Sequence, residues 1–273
     1  MSKIATVIIA KNEEKFIGKT IDSLISQKLK PYRIIVVDDG STDKTSEVVS
    51  HYKEVEIIKR KNRKEFLQTK KELAETTNIG LHKLKDDFSC KFVMKLDADI
   101  TLPKNYLFEI IKRMELNPKI AVCSGVIEGE NSVIPRGAGR VVRMDFWRKI
   151  GLKYPINYGF EGYLLVKAMI MGYEVKVFND LVFQTLRKTG SDYDPKLYYY
   201  YGLGMKSTGY TFIFGFLRIL KFATKKPMGA YYMLRGFLSN YNNLYEDDVR
   251  EFTRKYQYKK LRSFLSFKNY IDS

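Results

Sequence analysis

The chain has 273 residues, 45% hydrophobic and 14% aromatic, which is enough to bury one large core, or a core with an extension, and too apolar for a disordered protein. Two cysteines, Cys90 and Cys123, and two histidines, His51 and His82, are too few and too dispersed for a disulfide framework or a metal knuckle. A formal charge of +17 asks for an anionic partner, and composition alone leaves nucleic acid, a membrane face, phosphorylated substrates and a lysine-rich thermophile surface all open.

Met1 leads directly into the strand-like IATVIIA with no cationic leader or cleavage site, so a reducing, cytoplasmic location is expected. Ile4 to Ala10 is an apolar run of strand length. Asn12 then reads as a helix N-cap, Glu13 and Glu14 suit a first helical turn, and Ile17, Ile21, Leu24 and Ile25 share one helix face. RIIVVDDGSTD repeats the pattern: a buried strand from Arg33 to Val37, an acidic turn at Asp38, Asp39 and Gly40, and a helix capped by Ser41 or Asp43. Val55 to Lys59 reads as a third strand, Gln68 to Lys85 as mostly helix, and Val93 to Leu96 as a fourth strand that gives way to Asp97, Ala98 and Asp99. Pro103 and its successors open the next helix.

Strands separated by helices of this length imply right-handed crossovers and a mainly parallel α/β sheet, with ligands at the carboxyl ends of the strands. Ala10 to Asn12, Asp38 with Asp39, and Asp97 to Asp99 all fall at such ends and are expected to line one crevice. Neither GxGxxG after the first strand nor GxxxxGK[ST] occurs, and Gly137, Ala138 and Gly139 read as a turn. A nucleotide would be held by carboxylates and a metal instead of a glycine-rich helix start. Residues two apart on an extended segment share a side, so Asp97 and Asp99 suit a hard divalent cation, Mn2+ or Mg2+; the competing reading makes them a strand-end residue and a helix-approach cap. Asp38 and Asp39 either bond base or ribose or form an Asx turn.

VIIAKNEEKFIGKTIDSLISQ, IIVVDDGSTDKTSEVV, Asn78 with Gly80, and KLDADITLP together resemble the nucleotide-sugar half of family 2 glycosyltransferases with the GT-A fold, across roughly the first 105 residues in order and spacing. The resemblance implies a Rossmann-like, mainly parallel sheet flanked by helices, a nucleoside diphosphate sugar as donor with UDP favoured, and a donor site drawn from Ala10, Asn12, Glu13, Asp38, Asp39, Asn78, Asp97, Ala98 and Asp99. Asp39 is expected near base or ribose, and Asp97 and Asp99 at ribose, diphosphate and metal. Before the Asn-x-Gly the family often carries a glycine and a basic residue, where this chain has Glu72 and Leu73, with Lys70 and Lys71 a turn earlier.

The acceptor-side region is similar less clearly. Counting from Glu161 in YGFEGYLLVKAMIMGYEVKVF gives Lys167 and Gly172, so Glu161 matches the second acid of the family's pair, and Phe160 replaces the first. In inverting members that acid is the general base for an acceptor hydroxyl; the competing reading is a helix N-terminal Glu that complements the dipole. The histidine often found after the next strand has no counterpart in VFQTLRK. The resemblance implies a glycan or lipid-linked acceptor. With a polyprenyl phosphate acceptor no base is required, and Arg136, Arg140, Arg143 or Arg187 would steer the phosphate.

The expected organisation is a GT-A domain over 1–190, divided into a nucleotide-sugar half (1–105) and an acceptor half (106–190), and a helical, basic and aromatic-rich C-terminal extension over 191–273. In the extension the apolar stretch Tyr210 to Leu217 is too short to cross a bilayer, which takes about 20 residues. Its helices either lie in a membrane interface with cations toward anionic headgroups or form a subdomain whose aromatics are core, and both readings stay open. A second basic cluster runs from Arg250 through Arg262, and a first from Lys59 through Lys64. No nucleic-acid recognition motif occurs, and an acidic crevice would repel phosphate unless a metal filled it, so nucleic acid is not expected as a partner. The cytoplasmic membrane face is one place such a protein would work; a non-catalytic membrane-surface module or a nucleic-acid-binding protein is the alternative from another class.

Overall fold

A computed structural model describes residues 1–61, 70–187 and 194–271. Gln68 and Thr69 of the expected third helix, and Arg63 and Lys64 of the first basic cluster, lie outside the described residues. The chain divides into two compact units, one formed by residues 1–67, 72–154 and 171–191, the other by 68–71, 155–170 and 192–273.

The first unit holds an eight-stranded sheet. Its strands are β1 (Lys3–Ala10), β2 (Arg33–Asp38), β3 (Val55–Lys59), β4 (Cys90–Asp97), β5 (Ile100–Thr101), β6 (Ile120–Ile127), β7 (Arg140–Arg143) and β8 (Glu174–Thr185), in the order β3-β2-β1-β4-β7-β6-β8-β5. The pairs β3-β2, β2-β1, β1-β4 and β6-β8 are parallel, and β7 runs antiparallel to both β4 and β6. Buried on both faces, β1 and β2 read as continuous Ile/Val runs because crossover helices cover them. Those helices are α1 (Ile17–Ile25), α2 (Thr45–Ser50), α3 (Lys70–His82), α4 (Tyr106–Leu116) and α5 (Met144–Lys149). Ile17, Ile21 and Leu24 of α1 join Ile8, Val36 and Leu96 in one core with Leu107, Ile110 and Ile111 of α4.

Gly80 is required by packing. A Cβ there would lie 2.4 Å from Cγ1 of Val7 and 3.1 Å from Cγ2 of Val37, so α3 approaches the sheet closer than alanine allows.

The second unit is helical: α6 (Phe160–Ile170), a 3-10 turn (Pro195–Leu197), α7 (Tyr198–Ser207), α8 (Phe212–Ala223), α9 (Pro227–Leu238) and α10 (Asp247–Ile271). Glycines let α7 and α9 meet closely, since a Cβ on Gly202 or Gly236 would fall about 2 Å from the carbonyl oxygen of Met233 or Tyr199. Met205, Ile219, Ala230, Met233 and Phe237 form this unit's core; α6 is tied to the segment before α10 by Tyr163 stacked on Tyr245, and to α10 by Lys167 Nζ 2.7 Å from Asp248 Oδ2. Among the described residues no helix is long and apolar enough to cross a membrane. The four consecutive tyrosines are largely accounted for inside this unit: Tyr198 packs on Phe222 and Tyr201, and Tyr200 stacks on Tyr158.

Candidate active site

Register brings the predicted residues at the ends of β1, β2 and β4 to one edge of the sheet. Ala10 pairs with Asp38 and Ile9 with Asp97, while the Asp39 amide donates to the Ala10 carbonyl (2.9 Å), so the carboxyl ends of β1, β2 and β4 are level. The loops after β1 and β2 are laced together. Ser41 Oγ accepts from Asn12 N (2.9 Å), Asn12 Oδ1 accepts from Thr42 N (2.8 Å), Thr45 Oγ1 accepts from Glu13 N (2.7 Å) and Asp43 Oδ2 accepts from Glu14 N (3.1 Å).

These bonds correct the expected N-cap. Asn12 sits at φ +55, a left-handed conformation that asparagine tolerates, and its amide serves the neighbouring loop; α1 begins only at Ile17. Asp43 does meet the start of α2, accepting from Thr45 N at 3.0 Å, whereas Ser41 is spent on Asn12.

Asp38 and Asp39 point to different tasks, as successive residues at a strand end must. Asp38 accepts from Ser41 N (2.8 Å) and from the Ser46 hydroxyl, closing the turn into α2. Asp39, 1% exposed, accepts from Arg60 Nη1 (2.6 Å) and Thr76 Oγ1 (3.1 Å), and Arg60 also donates to Thr76 (2.6 Å). This triad, buried at Asp39 and Thr76 and half-buried at Arg60, joins the ends of β2 and β3 to α3. Sequence reading passed over Arg60, although the strand-end rule applied to β3 leads straight to it.

Asp97 ends β4 and takes Lys95 Nζ at 2.6 Å; Lys95 is 3% exposed, the carboxylate 41%. Ala98 is buried and its carbonyl accepts from Thr20 Oγ1 (2.7 Å), which pins the Asp-Ala-Asp turn to α1. Asp99 precedes β5, and the pairing of Ile100 with Thr185 sets the Asp99 carbonyl 2.7 Å from Leu186 N. That register delivers Arg187, whose guanidinium bridges two carboxylates: Nε to Asp99 Oδ2 at 2.9 Å and Nη2 to Glu13 Oε1 at 2.5 Å. Burial raises the pKa of Glu13 above the ordinary glutamate value; Arg187 opposes the shift, and the charges of Asp99 and Asp43 add to it. Its other oxygen, Oε2, is buried with no hydrogen-bond partner. For Arg187, burial works downward but the bonds to Asp99 and Glu13 outweigh it, and the guanidinium pKa is raised.

Asn78 is occupied elsewhere in the first unit. Its amide accepts from Tyr154 N (2.7 Å) and donates to the Tyr154 carbonyl (2.8 Å), clasping the segment after α5. Glu161 belongs to the second unit, half-buried in the first turn of α6.

The mainly parallel eight-stranded sheet flanked by helices is an α/β fold of the GT-A type, as in the solved transferases it resembles. The chain belongs to glycosyl transferase family 2, whose family model matches residues 6–182. Among curated proteins it is 24% identical over 204 residues to a dolichyl N-acetyl-alpha-D-glucosaminyl phosphate 3-beta-D-2,3-diacetamido-2,3-dideoxy-beta-D-glucuronosyltransferase of Methanococcus voltae, covering 72% of this chain and 61% of that one. It spans only about a third of the length of other curated relatives it matches, 36% and 34%. Among solved structures it is similar to a Pyrobaculum calidifontis mannosyltransferase in complex with GDP-Man and Mn2+ (TM-score 0.59, 17% identity, covering 87% of this chain and 70% of that one). It is also similar to S. aureus TarS in complex with UDP-GlcNAc (TM-score 0.56, 18% identity, 86% and 72%).

Proposed function

We propose that the protein transfers a sugar, with inversion, from a nucleoside diphosphate sugar to a hydroxyl of a glycan or lipid-linked saccharide, with a UDP-sugar the favoured donor. The observation that carries this reading is the level edge of β1, β2 and β4, where the Asp39–Arg60–Thr76 triad and the Asp97-Ala98-Asp99 turn face the same end of the sheet. Family membership supports it, as do relatives described with UDP-GlcNAc, with GDP-Man and with a lipid-phosphate-linked sugar.

In this reading the loops after β1 and β2 receive the base and ribose. Ala10, Asn12 and Glu13 form one wall, and Asp38 and Asp39 the other, held rigid by the bonds that lace the loops. Asn78 contributes by fixing the Tyr154 segment. Asp97, Ala98 and Asp99 receive ribose and diphosphate.

The donor set suits a divalent cation. Asp99, Asp97 and the unpartnered Oε2 of Glu13 are hard oxygens, and although no group of three such ligands stands together among the described residues, Mg2+ or Mn2+ is commonly held by one or two carboxylates and the substrate's own phosphates. Such an ion at Asp97 and Asp99 supplies Lewis acidity toward the leaving diphosphate. Arg187, whose Nε lies 2.9 Å from Asp99 Oδ2, would offer its guanidinium to the same phosphate charge. Glu161 takes the proton of the acceptor hydroxyl as that oxygen attacks the anomeric carbon from the face opposite the diphosphate.

The test is sugar transfer and donor hydrolysis with UDP-GlcNAc and GDP-Man, with and without Mn2+, for the wild type and Asp99→Asn. Turnover of one donor that needs the metal and is lost in the variant is expected; turnover unaffected by the variant overturns the assignment.

A further inference from the structure

We propose that α8, with the exposed edge of α9, is a docking surface for an anionic lipid bilayer. This goes beyond the sugar-transfer reading and does not depend on it.

On α8 the side that faces the protein is narrow. Gly215 and Ile219 are buried, and a Cβ on Gly215 would meet the Phe237 ring at 2.7 Å. Phe222 and Ala223 pack partly against the same core, and five further apolar side chains are left in solvent: Phe212 is 62% exposed, Ile213 61%, Leu217 and Leu220 49% each and Phe216 40%. At about 100° per residue these five cover a continuous arc of about 140° beside the buried side, followed by Lys221 and then Arg218. On α9, Met228, Tyr231 and Leu238 are each more than half exposed on one stripe that also carries Arg235, which lies over the Tyr231 ring. The α8 residues alone present on the order of 450 Å² of apolar side chain, the size at which a patch on a monomeric protein marks a contact surface.

Charge selects the occupant. From Pro195 to Tyr245 the sequence has no Asp or Glu and seven Lys or Arg, among them Arg218, Lys221, Lys225 and Lys226 along α8 and its connection to α9. Aromatic and aliphatic side chains bordered by long cationic ones fit the boundary between acyl chains and headgroups, where the stems stay apolar and the cations reach phosphate. A 12-residue helix is too short to span a bilayer and suits lying in its plane. A second copy fits less well, because two-fold pairing of this surface would oppose cation to cation with no carboxylate between them.

The experiment is co-sedimentation of the full chain with vesicles of phosphatidylcholine alone and of phosphatidylcholine with phosphatidylglycerol, at low and high salt. Binding to the anionic vesicles that weakens with salt is expected. Phe216→Glu with Leu220→Glu should abolish it, and Lys221→Glu with Lys225→Glu should weaken it by at least about fivefold per cation removed. All four positions are exposed, so melting curves should match the wild type, and the cation pair keeps the test valid if the apolar pair does not fold. Three results would overturn the proposal: equal binding to neutral and anionic vesicles, binding retained by both pairs of substitutions, or a concentration-dependent dimer lost in Phe216→Glu with no vesicle binding.

Discussion

Replacing Arg187 by glutamine leaves Glu13 with a carboxylate that burial already disfavours and no cation beside it. Stripping the partner from a fully buried charge costs about 3–5 kcal/mol, while an exposed pair is worth about 0–1 kcal/mol. The Arg187 side chain is 48% exposed and that of Glu13 11%, so the loss falls between these limits. We expect about 1–2 kcal/mol at pH 8, or roughly 3–6 °C in Tm for a chain of this size. The loss should be pH-dependent. A folded-state pKa raised above the unfolded value of about 4.3 means the native protein holds the proton more tightly, so the charged form becomes a burden only as pH rises past that value. Below it Glu13 is neutral in both states, and the variant should melt close to the wild type. Melting curves at about pH 4 and pH 8 decide the matter. An equal drop at both would show that Arg187 acts through packing or through its bond to Asp99, and not through Glu13.

Three further outcomes follow from the geometry. Glu161→Gln should lower kcat by about 10²- to 10⁴-fold with donor affinity unchanged, measured by single-turnover transfer and donor titration; an equal loss of donor affinity would deny it the role of base. Gly80→Ala places a methyl group 2.4 Å from Val7, and overpacking of about 1–3 kcal/mol exceeds the roughly 1 kcal/mol that alanine gains in a helix, so the urea midpoint should fall; a midpoint that rises would mean that α3 shifts without cost. Asp87 has its pKa held down to about 2 by the Tyr32 hydroxyl and, after it, Ser89, with burial opposing and Arg33 adding to the effect. Such a depressed carboxylate stabilises the fold above its unfolded value of about 3.9 and loses that contribution as pH falls toward 2, so Asp87→Asn should flatten the acid limb of stability in that window.

The parts of the site that were legible in the sequence are those carried by one strand end at a time. The runs Ile4–Ala10 and Arg33–Val37 are apolar throughout because both faces of β1 and β2 are covered, and each ends in residues polar enough to mark the edge. The helical, aromatic extension was readable from a local shift in composition, aromatics with Lys and Arg spaced between them. Asn12 was misread because capping preference and left-handed tolerance belong to the same side chain, and only the partner loop at Ser41 and Thr42 decides between them. Arg60 and Arg187 draw their meaning from register. Nothing near residue 187 announces that β5 pairs with β8 and sets it on Asp99, 88 positions earlier. Likewise the role of Asn78 depends on Tyr154, 76 positions away.

The most direct test of the donor site is thermal stability against UDP and GDP, each with and without Mn2+, for the wild type and Asp99→Ala. A ligand bound only by the native state at about 100 times its Kd adds about 2.7 kcal/mol, several degrees in Tm for this chain. A shift with UDP that requires Mn2+ and disappears in the variant is the predicted result. No shift with either nucleotide, or a shift that Asp99→Ala leaves intact, would contradict the placement of the donor at the carboxyl ends of β1, β2 and β4.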